Sequence, residues 1–325
     1  MKSFQYKYLL RKKLLNNKKL FSYIALGFFD GMHLGHQALL RLCIEKARHN
    51  NALSTVILLE PHPEKIVNKI DNFSLLTTLS EKVKHIRNAG VQQVIVLNFT
   101  DEFKKISGED FIKDILLNKF HMGAVFIGYD YRFGYQKKGD INLIKLLSDK
   151  YNFKYYILEP IKINNELIVS STIIKKLLKK GDIDKANQLL GYYYQISGKV
   201  MHGDKRGKKI LSFPTANIEI PQEKLLPQNG VYIALVEIQE QKYKGLVNIG
   251  IKPTFQQKPS NSITSESVEV YIFDFESDIY NKKITASLLK RIRGEKRFTD
   301  VKKLTQQITR DKSEAEIFFR EHYIL

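Results

Sequence analysis

The sequence predicts an α/β N-terminal domain with a parallel, Rossmann-like sheet, followed by a C-terminal antiparallel β-barrel domain with a terminal helix. Up to residue 190, short apolar runs alternate with amphipathic helical patterns, which is typical of βαβ units. From residue 191 onward, stretches of period-two patterning are separated by Gly, Pro and Asn turns, as in a small barrel. A chain of 325 residues is long enough for two such domains.

The α/β pattern begins with an apolar strand and a helix whose apolar residues recur on one side. That side carries Leu39, Leu40, Cys43, Ile44 and Ala47. The predicted elements follow in chain order: a strand at 22–28, a helix at 35–50, a strand at 53–60, a helix at 76–90, a strand at 91–99, a helix at 107–120, a strand at 123–134 that runs into a loop, a helix at 142–152 and a strand at 153–160.

Cap signals set the expected helix ends. Ser80 is the expected start of the second helix, Gly90 its stop, and Ser107 the cap of the third. The segment 170–191 predicts two short helices broken at Gly181.

The second half contains strand-like stretches and one late amphipathic stretch. The strands are expected at 194–203, 230–239, 241–250, 266–275 and 282–293, and the terminal helix at 299–319. The change of pattern near Gly191 predicts two domains, 1–190 and 191–325.

Composition limits the compartment but not the partner. Cys43 is the single cysteine, so no intrachain disulfide is possible, which fits a reducing compartment. No signal-peptide pattern and no run of about 18 apolar residues is present, so we expect a cytoplasmic protein without a membrane partner. The net charge of +19 would attract nucleic acid, anionic membrane or phosphorylated small molecules. Because the lysines are dispersed, we expect no nucleic-acid partner, and the oligomeric state stays unknown.

The stretch GFFDGMHLGH at 27–36 is the strongest motif of the first half. It lies where the first strand passes into the first helix, and Gly27, Gly31 and Gly35 would let an anion approach the N–H groups that begin that helix. His33 and His36 are three residues apart, so both project to the same side if the helix has begun. Two imidazoles beside a phosphate site suit phosphoryl or nucleotidyl transfer. A metal-binding pair or a structural histidine remains the alternative.

A second phosphate-binding candidate lies in the Gly- and Lys-rich turn of GKVMHGDKRGKK. Gly203, Lys205 and Gly207 could surround a phosphate with N–H groups and positive charge. An exposed basic hairpin has the same sequence pattern, and the residues alone do not separate the two interpretations.

Two further stretches of the second half carry oxygen ligands. Thr215 and Asn217 share a face if their segment is extended, and a hydroxyl and an amide oxygen suit Mg²⁺ on ATP phosphates. The alternative is a turn with local hydrogen bonds. Glu269 alternates with Tyr271, Phe273 and Phe275, which places a carboxylate on an aromatic face.

Taken in order, these motifs resemble the bacterial bifunctional riboflavin kinase/FMN adenylyltransferase (FAD synthetase) family. GFFDGMHLGH resembles the GxFDGxHxGH signature of its adenylyltransferase domain, which has a nucleotidyltransferase fold. Further blocks resemble that domain at EPHPE (60–64), GYDYRFG (128–134) and VSST (169–172), and the kinase domain at FPTANIEIP (213–221), NIGIKPTF (248–255) and VEVYIFDF (268–275).

The resemblance implies an adenylyltransferase at 1–190 that converts FMN and ATP into FAD and pyrophosphate. His33 and His36 would hold the ATP phosphates, and Gly27, Asp30 and Gly31 would shape the turn. Ser171, Thr172 and Lys175 would suit the departing pyrophosphate. Tyr131, Arg132 and Phe133 lie where a base or flavin ring would stack; ordinary packing at a strand end is the alternative.

The resemblance also implies a riboflavin kinase at 191–325 that converts riboflavin and ATP into FMN and ADP. Thr215 and Asn217 would bind Mg²⁺ with ATP, and Glu269 would take the proton from the ribityl hydroxyl. Arg291 and Arg293 would order over the flavin or face solvent.

Three positions depart from the family pattern. Phe28 stands where Asn is common, Ile168 stands where Arg is common, and Lys175 replaces an Arg and so lacks its planar fork. These departures leave two alternatives: a riboflavin kinase with an impaired adenylyltransferase domain, and a non-catalytic flavin- or nucleotide-binding module. A third alternative is an RNA-associated enzyme, since class I aminoacyl-tRNA synthetases carry similar HxGH signatures.

Overall fold

The computed structural model of the chain describes residues 5–11, 20–68, 73–164, 166–201, 214–251, 266–296, 298 and 300–322. The chain divides into two compact units, Met1–Ser171 and Thr172–Leu325.

The first unit alternates strands and helices. Its strands are β1 (Tyr6–Arg11), β2 (Ser22–Leu26), β3 (Leu53–Glu60), β4 (Gln93–Asn98), β5 (Met122–Gly128), β6 (Lys154–Leu158), β7 (Lys162–Ile163) and β8 (Leu167–Ile168). Its helices are α1 (Leu34–His49), α2 (Pro63–Asn68), α3 (Leu79–Asn88), α4 (Gly108–Asp110) with its π-helical continuation Phe111–Lys119, and α5 (Ile141–Tyr151), with 3₁₀ turns at Phe103–Lys105 and Tyr135–Lys137.

Six strands form one sheet in the order β1-β4-β3-β2-β5-β6. The pairs from β4 to β6 are parallel, which confirms the Rossmann-like sheet. From β2 the chain moves outward through β3 and β4, then returns to the other side of β2 with β5. Ligands of such sheets bind where this direction reverses, at the carboxyl ends of the strands. The fold therefore places the loop after β2 at that point.

Strand β1 is an element that the sequence analysis does not predict. It pairs antiparallel with β4 at the sheet edge. Tyr6 and Tyr8 are about two-fifths exposed there, at 40% and 38%. An edge strand with exposed side chains carries little apolar periodicity, so its pairing with β4 shows only in three dimensions.

The helix ends show one confirmed cap and one wrong prediction. Ser107 caps α4, because its hydroxyl accepts a 3.0 Å hydrogen bond from the Asp110 N–H. The expected start of α3 at Ser80 is wrong, since Thr78 is the cap. Thr78 and Glu81 form a reciprocal capping box, and that box requires an acidic or amide side chain three residues after the cap, which Ser80 lacks.

Helix α1 buries its predicted apolar side against the sheet. Leu39, Leu40, Cys43 and Ala47 are at most 3% exposed, while Ile44 at the edge of that side is half-buried.

The second unit is a barrel with helices. Helix α6 (Ser171–Lys179) runs into it, and α7 (Ile183–Leu190) follows. The remaining elements are β9 (Tyr194–Met201), β10 (Thr215–Glu219), β11 (Gly230–Ile238), β12 (Gln241–Ile251), β13 (Glu266–Ile272), β14 (Lys283–Arg293) and α8 (Val301–Glu321). The strands close in the order β10-β13-β12-β11-β14-β9 with antiparallel pairing throughout. The predicted barrel and terminal helix are confirmed.

Helices α6 and α7 pack on the barrel, although the change of sequence pattern lies after them. The Gln228 N–H donates to the Leu178 carbonyl at 2.9 Å, and the Asn187 side chain donates to the Leu288 carbonyl at 2.9 Å. The spatial division therefore falls at the first residue of α6, between Ser171 and Thr172, upstream of the boundary expected near Gly191.

Helix α8 covers one outer face of the barrel. Ala315 and Phe319 are at most 1% exposed and pack against the side chains of Val231, Ile233, Leu246, Phe273 and Leu289. In the described ranges, no helix is long and apolar enough to cross a membrane.

Candidate functional sites

The first candidate site is the loop between β2 and α1 together with the start of α1, residues 27–36, here called the histidine turn. Its backbone is unusual, because Phe29, Gly31 and Met32 have positive φ angles of +51°, +80° and +39°. A Cβ atom on Gly31 would lie 2.5 Å from Leu76 Cδ1. Glycine is therefore required at position 31 both for its φ angle and for the space.

The turn brings the two histidines together. His33 is the N-cap of α1, and its Nδ1 atom accepts a 3.4 Å hydrogen bond from the His36 N–H. The two rings stack with their centroids 3.7 Å apart and their planes 19° apart. His33 precedes α1 as its cap and has an extended backbone, so the two rings meet through the cap geometry and not through the helical spacing on which the prediction depends. A Cβ on Gly35 would lie 3.2 Å from the His33 ring, so a larger residue there would press on it.

Burial keeps both imidazoles neutral near pH 7. Burial lowers the pKa of His33 from 6.5 to about 4, although the nearby Asp30 carboxylate acts in the opposite direction. Burial also lowers the pKa of His36 well below 6.5, and repulsion from a protonated His33 and from the Lys82 ammonium acts in the same direction. Because Nδ1 of a neutral His33 accepts a hydrogen bond, its proton is on Nε2, which can donate to a ligand oxygen.

His36 has an unsatisfied ring atom. Its Nδ1 is buried and finds no hydrogen-bond partner among the described residues. A buried polar atom of this kind is rare in folded proteins and marks a place where a ligand or water is expected.

A set of hydrogen bonds fixes the Asp30–Gly31 peptide inside the turn. The Ser171 hydroxyl donates to the Asp30 carbonyl at 2.8 Å, and the Gly31 N–H donates to Thr77 Oγ1 at 2.9 Å. The Asp30 carboxylate accepts from the Thr77 N–H at 3.1 Å. Asp30 and Gly31 are thus both hydrogen-bonded within the turn, and Ser171 contacts the turn by its hydroxyl. Thr77 could not be predicted, because a lone threonine before a helix carries no distinguishing signal in the sequence.

Phe28 belongs to an aromatic cluster at the start of the turn. Its ring centroid lies 4.7 Å from that of His62, and the His62 centroid lies 4.7 Å from that of Phe73. Gly27 before it is close-packed, with a hypothetical Cβ 3.3 Å from the Phe29 ring. The position that is commonly Asn in the resembling family therefore packs against aromatic rings in this chain. His62, in the EPHPE block, was not proposed as a site residue.

The predicted flavin-stacking residues of the first unit have different surroundings. Phe133 is 6% exposed and packs 5.9 Å from the Phe111 ring in the core. Tyr131 stacks on it at 6.0 Å, and burial raises the pKa of the Tyr131 hydroxyl. Arg132 pairs with Asp140 at 2.8 Å. The Phe133 ring is therefore part of the core, which agrees with ordinary packing, the alternative to flavin stacking at this strand end.

Thr172 and Lys175 lie in the first turns of α6, in the second unit. Thr172 is exposed and Lys175 is half-buried. Ile168, where the resembling family commonly has Arg, lies in β8.

The second candidate site is a polar row across three adjacent barrel strands. Asn217 on β10 is the direct partner of Glu269 on β13, and Glu269 is in turn the partner of Asn248 on β12. Thr215 pairs with Tyr271 two positions further along. Side chains of directly opposite residues lie on the same face about 4.5–5.5 Å apart at Cβ. The barrel thus brings together Asn217 and Glu269, which the sequence proposed separately, and adds Asn248, which it missed.

This polar row lies outside the barrel core. Asn217, Glu269 and Asn248 are half-buried and Thr215 is exposed, whereas Val268 and Val270 beside Glu269 are at most 2% exposed. Hydroxyl, amide and carboxylate oxygens on one face are the hard ligands that Mg²⁺ prefers, so the donor set fits that ion. Among the described residues, no group of three His, Cys, Asp or Glu side chains could hold a metal, at either site.

Two arginines of β14 are held by protein groups. Arg293 is 16% exposed at its side chain and makes a bidentate pair with the buried Asp311 of α8, with nitrogen–oxygen distances of 2.7–3.0 Å. Arg291 donates to the Asn229 carbonyl at 2.8 Å. The guanidinium of Arg293 therefore joins α8 to the barrel. This role differs from both predictions for Arg293, which were contact with the flavin and exposure to solvent.

The predicted loop residues Gly203, Lys205 and Gly207 lie outside the described residues.

Comparisons with known proteins cover both units. A family model described as FAD synthetase matches residues 16–172, and one described as riboflavin kinase matches residues 190–319. The chain is 38% identical over 292 residues to a bifunctional riboflavin kinase/FMN adenylyltransferase of Buchnera aphidicola subsp. Schizaphis graminum, covering 89% of this chain and 91% of that one. It is 35% identical over 308 residues to the protein of that name from Bacillus subtilis, covering 94% and 95%.

One solved structure is similar over nearly the whole chain. It is described as a macrolide-efflux protein from Streptococcus pneumoniae and is 28% identical, with a TM-score of 0.81 and coverage of 92% of this chain and 95% of that one.

Proposed function

The chain belongs to the family of bifunctional riboflavin kinases/FMN adenylyltransferases, and on that basis we propose how its own residues carry out the two reactions. It phosphorylates riboflavin with ATP to FMN, and it adenylylates FMN with a second ATP to FAD and pyrophosphate. The observation that carries this conclusion is that both family matches lie, in order, on an α/β unit and on a barrel that hold the corresponding motifs.

For the adenylyl transfer, we assign the histidine turn to the ATP phosphates. An oxygen of the FMN phosphate attacks the α-phosphorus of ATP, and the bond from that phosphorus to the pyrophosphate oxygen breaks. His33 donates from Nε2 to a phosphate oxygen, and the N–H groups that begin α1 face the same anion. The support is the stacking of the buried His33 ring on the His36 ring and the buried, unsatisfied Nδ1 of His36.

For the kinase reaction, we assign the polar row to the reacting hydroxyl and to ATP. Glu269 takes the proton of the ribityl 5′-hydroxyl, whose oxygen attacks the γ-phosphorus while the bond to ADP breaks. Thr215 and Asn217 would hold Mg²⁺, which would neutralise charge on the ATP phosphates. The support is the register that makes Asn217 and Glu269 direct partners.

The domain limits and the location are also proposals. We assign adenylyl transfer to 1–190 and riboflavin phosphorylation to 191–325. Helices α6 and α7 precede residue 191 in the chain but are hydrogen-bonded to the barrel unit. A cytoplasmic location is in keeping with ATP as a substrate of both steps and with a single cysteine.

The experiment that tests the function mixes the full chain with riboflavin, ATP and Mg²⁺ and separates the flavins by chromatography. We expect FMN to appear first and FAD after it, and added FMN to be converted directly. FMN without FAD would support the alternative of an impaired adenylyltransferase domain. Absence of both products would contradict the function. No observation favours an RNA-associated enzyme.

A further inference from the structure

The Asp30–Gly31 peptide is held at both ends by side-chain hydroxyls. Its carbonyl accepts from Ser171, and its N–H donates to Thr77 Oγ1 at 2.9 Å. This peptide comes three residues before the first residue of α1 and directly precedes the strained Met32 and the cap residue His33. Its orientation therefore decides where the His33 ring lies.

Thr77 makes the more enclosed of these two contacts. It is 2% exposed, and its own N–H donates back to the Asp30 carboxylate at 3.1 Å, so Thr77 grips the turn by both its hydroxyl and its backbone. Leu76 beside it packs over Gly31.

The segment that carries Thr77 is itself anchored. Thr78 caps α3 with the reciprocal Glu81 box, so the residue that follows Thr77 has a fixed backbone. A turn with three residues at positive φ is costly to hold, and it persists only where the surroundings determine it. Thr77 supplies that restraint from a rigid helix start.

We propose that Thr77 is a positioning residue for adenylyl transfer: its hydroxyl fixes the Asp30–Gly31 peptide and so places His33 against the ATP phosphates. The inference rests on the proposed role of His33. Loss of the hydroxyl removes the Thr77 acceptor from the buried Gly31 N–H, and the turn relaxes. A displacement of about 1 Å at a positioning group costs on the order of 10²-fold in rate.

The test compares Thr77→Val, Thr77→Ser and Thr55→Val in the full chain. Thr55 is the matched control, because it is a fully buried threonine of β3 whose hydroxyl donates to Gln93 at 3.1 Å, away from the turn. We expect Thr77→Val to lower kcat for FAD formation by about 10- to 100-fold, with KM for ATP within about three-fold of wild type. Thr77→Ser should restore kcat, and Thr55→Val should retain it. Riboflavin phosphorylation by the same samples should be unchanged.

Three outcomes would overturn the proposal: wild-type kcat in Thr77→Val, an equal loss in Thr55→Val, or a loss that Thr77→Ser does not restore. If Thr77→Val does not fold, Thr77→Cys carries the test, since a thiol is a weak acceptor of similar size. That variant must then have a lower kcat than Thr77→Ser at the same thermal midpoint. A His33→Ala, His36→Ala double variant in parallel separates the failures: if it still makes FAD, the proposed role of the histidine turn is wrong, whatever Thr77 does.

Discussion

Asn217 and Glu269 are direct cross-strand partners on β10 and β13 of the barrel. Since side chains alternate between the two faces of a strand, a shift of one residue in this register would move Glu269 from the outer face into the barrel core. Val268 and Val270, which flank it, are buried and fix that register. The proposed metal ligand and the proposed base therefore share a face because of apolar packing on the opposite side.

Glu269→Gln should lower riboflavin phosphorylation selectively. The change keeps the shape of the side chain and removes its basicity, and general-base catalysis is worth about 10²–10⁴-fold. The measurement is the turnover of riboflavin at saturating substrates. Glu266→Gln, on the exposed start of the same strand, is the matched control and should retain activity. FAD synthesis from added FMN should not change. A folded Glu269→Gln variant with turnover close to wild type would exclude Glu269 as the base.

Replacing His33 and His36 together by Ala should abolish FAD formation and spare FMN formation. Each imidazole is expected to contribute about 2–4 kcal/mol to transition-state stabilisation, by analogy with a donor to a developing oxyanion. The readout is FAD formed from added FMN and ATP. His49→Ala changes an exposed histidine at the far end of α1 and should leave both activities intact. Equal loss of both activities in the double variant would indicate a folding defect instead.

The stability of the first unit should fall as the pH falls from about 6.5 to about 4. His33 has a pKa lowered to about 4 in the folded chain. The unfolded chain binds this proton more readily, so the stabilisation is present above the unfolded pKa and is lost on acidification, by up to about 3 kcal/mol. The lowered pKa of His36 acts in the same direction. Urea unfolding followed by circular dichroism should show a shallower pH dependence in His33→Gln; an unchanged dependence would assign the effect to other groups.

Gly31→Ala should destabilise the first unit more than Gly90→Ala. Both glycines have positive φ angles, +80° and +92°, so both substitutions cost backbone strain of about 1 kcal/mol or more. A new Cβ at Gly31 also lies 2.5 Å from Leu76, whereas nothing lies within 4 Å at Gly90. The difference between the two free energies of unfolding measures the contact with Leu76, and a difference near zero would show that the turn can shift at no cost. FAD formation should fall only in Gly31→Ala.

Asp311→Ala should destabilise the barrel unit without a specific effect on riboflavin affinity. The substitution leaves the Arg293 charge, 16% exposed, without its bidentate partner, and breaking such a pair costs about 3–5 kcal/mol when it is well buried. The measurements are the free energy of unfolding and the KM for riboflavin below the unfolding transition. A large rise in KM with unchanged stability would instead place Arg293 in flavin binding.

Local patterns in the sequence determined the fold class and the place of the first candidate site. Alternating apolar runs and amphipathic helices predict the parallel sheet, and period-two stretches predict the barrel, because each pattern reflects which side of an element is buried. The three-residue spacing also suggests that His33 and His36 are neighbours, but they meet because His33 caps α1 and not because both lie on the helix. The wrong cap prediction also has a local cause. Ser80 is a residue type that commonly caps helices, but Glu81 forms its reciprocal capping box with Thr78.

Tertiary structure alone decided the contacts between segments that are distant in sequence. It pairs the edge strand β1 with β4 and places Asn217 opposite Glu269. It also brings Arg293 into contact with Asp311, and the Thr77 hydroxyl within hydrogen-bond distance of the Gly31 N–H. Register and buried hydrogen bonds depend on how packed elements meet, and no periodicity within one segment encodes which partner a distant segment supplies. The sequence therefore supplies the candidates for the chemistry, whereas packing determines which residues contact those candidates and hold them in place.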